Sequence, residues 1–359
     1  EYQRYRQGRG IATMVVTTEQ IYTEFAAGNP DPTAIRNFLA WALRSWSIPP
    51  RWVLLWGDGH YDYKNISTRQ PNFVPTYQSA RSSDGDVFNA IDSYCTDDYY
   101  TWIQGDDRLP DIAIGRMPIN SDAEGMHVLQ KLRLYETASD LGLWRATITL
   151  VADDGPTSYG SDGSIHTDQS ETLSNRLPEW LWQRKLYLAE YPTENLPGGR
   201  RKPEVTRDLV AAVNAGTAIL NWIGHGNPRL WAHEQVLERE TTIPQFQNLR
   251  RLFFLTAATC DFVRYDDPRT PSGAEAILLS PLGGAIAAFG AARLVYSTPN
   301  AQLLYEFYDR LLRRSPQGDY PTLGEVQMLV KQLRTGLNDL KFVLLGDPSL
   351  RLLLPTAVV

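Results

Sequence analysis

Short apolar runs alternate with polar, helix-patterned stretches along most of the chain. The runs read IATMVV at 11–16, WVLLW at 52–56, DIAIG at 111–115, ITLVA at 148–152, KLYLA at 185–189, TAILNWI at 217–223, LFFLTAAT at 252–259 and GAIAAF at 284–289. Each is bounded, and most are continuously apolar rather than alternating, which is the pattern of strands buried on both faces of a parallel sheet. Interleaved with helices, such strands predict an α/β architecture.

The helices carry start signals. Asp31 and Pro32 precede Ile35, Phe38, Leu39 and Leu43 at helical spacing, and Ser121 with Glu124 and Thr322 with Glu325 have the spacing of a capping box. The stretch ETASDLGLW at 136–144 joins a helix to a strand, which predicts a boundary between an N-terminal subdomain at 1–140 and a C-terminal one at 141–359. The loop DDGPTSYGSDGSIHTD at 153–168 is long, polar and rich in Gly and Ser, as surface loops near functional sites are.

Two strand ends carry the candidate chemistry. TAILNWI runs into Gly224-His225-Gly226, and LFFLTAAT runs into Cys260. Beyond the carboxyl ends of strands is where open α/β sheets bind ligands. A thiol needs a base or cation beside it to act as a nucleophile near neutral pH, and imidazole is suited to that task. Gly226 would admit substrate backbone close to His225, and its N–H together with that of Cys260 would serve as oxyanion donors. The residues alone leave other readings open: Cys260 as a small core residue, and Gly-His-Gly as a tight turn or a metal ligand. A zinc site has no further His or Cys at ligand spacing to complete it.

Composition narrows the classes. The 35 basic and 41 acidic residues are interspersed, so the basic stripe that nucleic acid requires is missing. No run of 18 apolar residues exists and the opening EYQRYRQGRG is polar, so neither a membrane span nor a secretion signal is expected. Two cysteines, Cys95 and Cys260, exclude a disulfide scaffold and a four-cysteine zinc site.

The runs NWIGHGNPRLWAHEQVL and LFFLTAATCDFVRYDDP, with 35 positions from His225 to Cys260, resemble the gingipain family of cysteine peptidases in the caspase-like clan. The clan signature falls on His225, Gly226, Thr259 and Cys260. The resemblance covers essentially the whole chain. TTEQIYTEFAAGNPDPTAIRNFL, VLLWGDGHYDYKN, TDDYYTWIQGDDRLPDIAIGRMP, VADDG, GGAIAAF and FVLLGDPSL are similar to the PorU-type sortases of the type IX secretion system.

This resemblance implies a caspase/gingipain-like fold of two α/β subdomains, with mainly parallel sheets flanked by helices. It implies Cys260 as nucleophile, His225 as proton carrier, and Asp154, beside Asp153, as the acid that orients the imidazole. Paired aspartates after a strand also serve as plain turn residues. Tyr296 falls at the family's aromatic pocket wall, a place equally suited to core packing, and Asp162, His166 and Asp168 fall in the stretch where arginine-specific members read the substrate. The activity implied is removal of the C-terminal signal domain of exported cargo through an acyl-enzyme, with transfer to a surface lipopolysaccharide amine, at the outer-membrane surface of a bacterium. The expected partners are therefore cargo proteins, a lipopolysaccharide acceptor and secretion components, and the alternative is an idle scaffold of the secretion complex. Catalysis would require no cofactor. A structural calcium is also implied, for which Asp97-Asp98 and Asp106-Asp107 are the oxygen-rich runs, without a twelve-residue calcium loop. Asp261, Asp266 and Asp267 would set a negative field around the nucleophile. His60, His127 and Cys95 read as structural.

Overall fold

In the computed structural model, which describes residues 1–79, 91–138, 140–157 and 160–356, eight strands form one sheet. They are β1 (Trp52–Trp56), β2 (Ala113–Met117), β3 (Thr147–Ala152), β4 (Trp182–Tyr187), β5 (Ile219–Ile223), β6 (Phe253–Ala258), β7 (Ala285–Ala291) and β8 (Phe342–Leu345). Their order is β1-β2-β8-β7-β6-β5-β3-β4. Neighbours run parallel except at β7 and β8, which pair antiparallel. β8, from the C-terminal end, thus lies between β2 and β7.

Successive side chains on a strand point to opposite faces, and the two halves of the core follow that period. On β5, Ile219 and Ile223 join one cluster with Leu173, Leu303 and Phe307, while Leu220 and Trp222 join the other with Val205, Leu209 and Ile277. Helices Ile165–Ser174, Ser297–Leu311 and Leu323–Leu333 therefore cover one face, and Pro203–Ala215 and Gly273–Leu279 the other. Phe254 and Phe289 stack on Phe307, with centroids 5.9 and 4.5 Å away. Fully burying each such ring contributes about 1.5–3 kcal/mol.

The helix starts are where the sequence signals fall. Asp31 accepts the N–H of Thr33 and Pro32 opens Pro32–Ser45. Thr322 and Glu325 form a reciprocal capping box. Ser121 caps Asp122–Glu136, but Glu124 takes the N–H of Asn120 instead of that of Ser121, so the box is not closed on the cap residue itself. IATMVV forms no strand. It forms an irregular segment with Met14 65% and Val15 61% exposed and Val16 packed against the cluster of Ile35, Leu39 and Leu55, and β1 at the sheet edge pairs only with β2. Among the described residues no helix is long and apolar enough to cross a membrane.

Candidate active site

Strands β5 and β6 are neighbours in register, with Ile223 opposite Ala258. The ladder reaches one residue further, Gly224 donating to Ala258 O at 3.4 Å. His225 and Cys260 each lie two positions past that paired register, side by side at one rim of the sheet. After Cys260 the chain turns sharply. Asp261 adopts φ 56°, a left-handed conformation that Asp tolerates better than most residues, and Arg264 N–H closes the turn on Asp261 O at 3.0 Å.

The backbone of His225 is held on both sides. Its N–H donates to Asp153 Oδ2 at 2.8 Å, and its carbonyl accepts from Ala232 N at 3.0 Å and from Trp222 Nε1 at 3.3 Å. Trp222 is itself stacked on Trp231, with centroids 5.0 Å apart and rings 1° from parallel. Gly226 pairs with Trp231 across a short bridge whose hydrogen bonds belong to the flanking residues: Ala232 N to His225 O, and Asn227 N to Leu230 O. That pattern turns the Gly226 N–H away from the bridge. A Cβ on Gly226 would meet Thr259 Oγ1 at 2.6 Å, so only glycine lets the loop after β5 lie against the residue before Cys260.

The imidazole's acid partner is Asp162. His225 Nε2 lies 2.6 Å from Asp162 Oδ2, with both side chains about two-fifths exposed. This hydrogen bond, foremost, holds the Asp162 carboxyl below its ordinary range. Asp154, expected at this position, is turned away from the ring. Its Oδ2 lies 3.3 Å from Lys202 Nζ in a buried pair. The reason is local: Asp153 and Asp154 continue β3, Asp153 N–H bonding Ile223 O, so their side chains leave on opposite sides and Asp153 takes the His225 side. Burial pushes Asp153 up to about 7, against the N–H of His225 that favours its charged form.

Cys260 is partly buried and its thiol engages Val295, not His225. Sγ lies 3.5 Å from both the N–H and the carbonyl oxygen of that residue. Burial pushes the thiol up from its ordinary value, and the charge of Asp261 adds to it, while the Val295 N–H and Lys341 oppose. Lys341 precedes β8 and donates to Leu294 O at 2.6 Å and Ile91 O at 2.5 Å, fixing the segment that holds the thiol. Val295 and Lys341 carry no sequence signal of this role, since one acts through its backbone and the other through carbonyls.

Of the pocket candidates, His166 lies beside the imidazole, buried to 5% exposure with its ring 5.3 Å from that of His225 and nearly perpendicular to it. Asp168 is exposed and accepts from Ser164 Oγ at 2.7 Å within its own helix start. Tyr296 stands at the N-cap position of Ser297–Leu311 without a side-chain cap bond and is 62% exposed, immediately after Val295. Exposure at this level leaves the ring outside the core. Asp97 and Asp98 are joined to chain cations, Asp97 to Arg116 at 2.7 Å and Asp98 to Lys331, while Asp107 closes a local turn on Leu109 N. Asp266 is buried against Arg293 and Asp267 lies near Arg264, so of the three acids after the nucleophile it is Asp261 whose charge acts on the thiol. Cys95 is fully buried, His60 is buried against Gln70 O, and His127 lies 3.4 Å from Ser280 O.

A mainly parallel sheet flanked by helices, with a Gly-His-Gly loop and a cysteine ending adjacent strands, defines a gingipain-like caspase fold. The chain belongs to peptidase family C25, the gingipain-like cysteine peptidases, whose profile matches residues 1–353. It is 23% identical to Gingipain R2 of Porphyromonas gingivalis over 98% of this chain and 44% of that protein, and 23% identical to Gingipain R1 of the same organism over 33% of its length. The chain thus spans less than half of these relatives. Among solved structures, the Arg-specific cysteine proteinase gingipain R superposes with a TM-score of 0.71 at 18% identity, over 94% of this chain and 72% of that one. The complex of RgpB pro- and mature domains from Porphyromonas gingivalis gives 0.71 at 18% over 99% and 76%.

Proposed function

We propose that this chain is a cysteine endopeptidase in which Cys260 attacks the scissile carbonyl and His225 carries the proton. The observation that supports this most is the register of β5 and β6, which brings the two residues to one rim from sequence positions 35 apart. The thiol proton passes to His225, sulfur bonds to the carbonyl carbon, and the oxyanion takes the N–H groups of Gly226 and Cys260. Collapse of the tetrahedral intermediate breaks the peptide bond, and the leaving amine takes the proton from imidazolium. Asp162 orients the ring and stabilises its charged form. The thioester is then resolved by water or by an amine.

The substrate we infer is the C-terminal signal domain of a type IX secreted cargo, cleaved at the outer-membrane surface, with a lipopolysaccharide amine as acceptor. Likeness to PorU-type sortases over the motifs quoted above supports it. Incubating cargo with the chain and reading the new termini by mass spectrometry tests both halves. Cleavage lost in Cys260→Ala is expected, and equal cleavage by that variant would sink the enzyme reading. An idle scaffold is the second reading, and the engagement of Sγ with Val295 instead of His225 favours it. An idle chain would bind cargo and release no new terminus.

A further inference from the structure

Around His225 the fold gathers donors that lie far apart in sequence. Asp153 ends β3, His166 sits in the first turn of Ile165–Ser174, and His225 follows β5. One donor atom from each lies within 4.8 Å of the other two. We propose that Asp153, His166 and His225 form a site for a zinc-type divalent ion, and that this ion holds the peptidase inactive by occupying a ring nitrogen of His225.

The second observation is the state of His166. It is 5% exposed, and no polar atom meets either ring nitrogen in normal hydrogen-bond geometry, Asp162 and Gln169 being the polar side chains that act on the ring. Asp162 Oδ2 is 3.6 Å from Nε2, too long for a good hydrogen bond. A buried polar group left unmatched costs about 1–3 kcal/mol, and a binding partner for it is the usual resolution. Two imidazoles and one carboxylate are a donor set that favours zinc over magnesium or calcium, which prefer oxygen. With zinc bonds of about 2.0–2.2 Å the donors must draw in from their present separation, by side-chain rotation of His166 and of His225, the latter exchanging its hydrogen bond to Asp162 for the ion. Three protein ligands leave a fourth position for water. Asp153 arrives already braced, its carboxylate accepting the N–H groups of His225 and Asp154, as metal-ligating carboxylates commonly are.

The inhibitory half rests on the peptidase reading above, because an imidazole bound to metal cannot accept the thiol proton. The binding half does not. Titrating zinc chloride into the full chain by calorimetry, with cobalt as a spectroscopic substitute, should give one ion per chain. His166→Gln should weaken it at least about tenfold, and Cys260→Ala should leave it unchanged. Unchanged affinity in His166→Gln overturns the proposal, as does loss in Cys260→Ala, which would mark chelation by the thiol and His225. Should His166→Gln fail to fold, nitrogen-15 spectra of the histidine rings in the parent protein decide. Zinc should shift His166 and His225 and leave His60 and His127 in place, and a shift of His225 without His166 refutes the site. Peptide cleavage by the parent should be blocked by zinc and restored by a chelator. Zinc binding at this site without any cleavage at all would remove the peptidase reading and leave the ion site standing.

Discussion

At the scale of single residues, two aspartates near one histidine have separate tasks. Asp162 is exposed and bonded to the His225 ring, so Asp162→Asn should lower turnover roughly 10²-fold with little change in melting temperature. Asp154 is buried against Lys202. Asp154→Asn leaves that buried ammonium with only the carbonyls of Leu188 and Tyr191 as hydrogen-bond acceptors and without its closest carboxylate, and the expected result is a loss of about 3 kcal/mol in denaturant unfolding. A melting temperature unmoved by Asp154→Asn would contradict the assignment. The cysteines divide in the same way. Burial first, and then Asp261, pushes the Cys260 thiol above its ordinary value, while burial pushes the fully enclosed Cys95 far higher. Alkylation by iodoacetamide, followed by peptide mapping, should therefore mark Cys260 alone, with a rate still climbing above pH 9.

At the scale of elements, the inner strands β2, β3, β5, β6 and β7 are legible as apolar runs because a strand buried on both faces announces itself in local composition, whereas the run at 185–189 catches only the end of the edge strand β4, whose Trp182 is exposed. β8 is the four-residue apolar run FVLL, too short to be told from a core helix segment by pattern alone, and its place between β2 and β7 is set by non-local pairing. IATMVV shows the converse: strand-forming residues with no neighbour to pair with remain a surface segment. His225 and Cys260 were readable because each ends a long apolar run. Asp162 was visible as a polar loop residue but not as the partner of His225, since its reach depends on the loop folding back through the Pro156–Ser161 bridge. The contact between Gly226 and Thr259 ties the two critical loops together, and Gly226→Ala tests it. The added methyl collides with Thr259 Oγ1, so cleavage rate should fall at least tenfold while circular dichroism keeps the α/β signature.

At the scale of the whole molecule, the segment after Cys260 is locked to the sheet by a buried ion pair between Asp266 and Arg293, joined by Gln78. Burial alone would raise the Asp266 carboxyl, but the Arg293 charge and the hydrogen bonds bring it down to about 2 from 3.8. The folded form therefore binds its proton less readily than the unfolded form does. The resulting stability is complete above about pH 4 and is lost as pH falls towards 2. Asp266→Asn should remove this dependence and lower stability at pH 7 by about 3–5 kcal/mol, measured by urea unfolding at a series of pH values. The position of β8 has a consequence for birth on the ribosome. Of the eight sheet strands, β8 lies furthest along the chain and is the one that joins β1 and β2 to the rest, so the β1–β2 pair, packed on Ile35 and Leu39, meets the remaining strands only through it. On the ribosome β1 and β2 must therefore wait for residues 342–345 before the sheet can close, and the edge of β2 that β8 will cover stays open to chaperones until then.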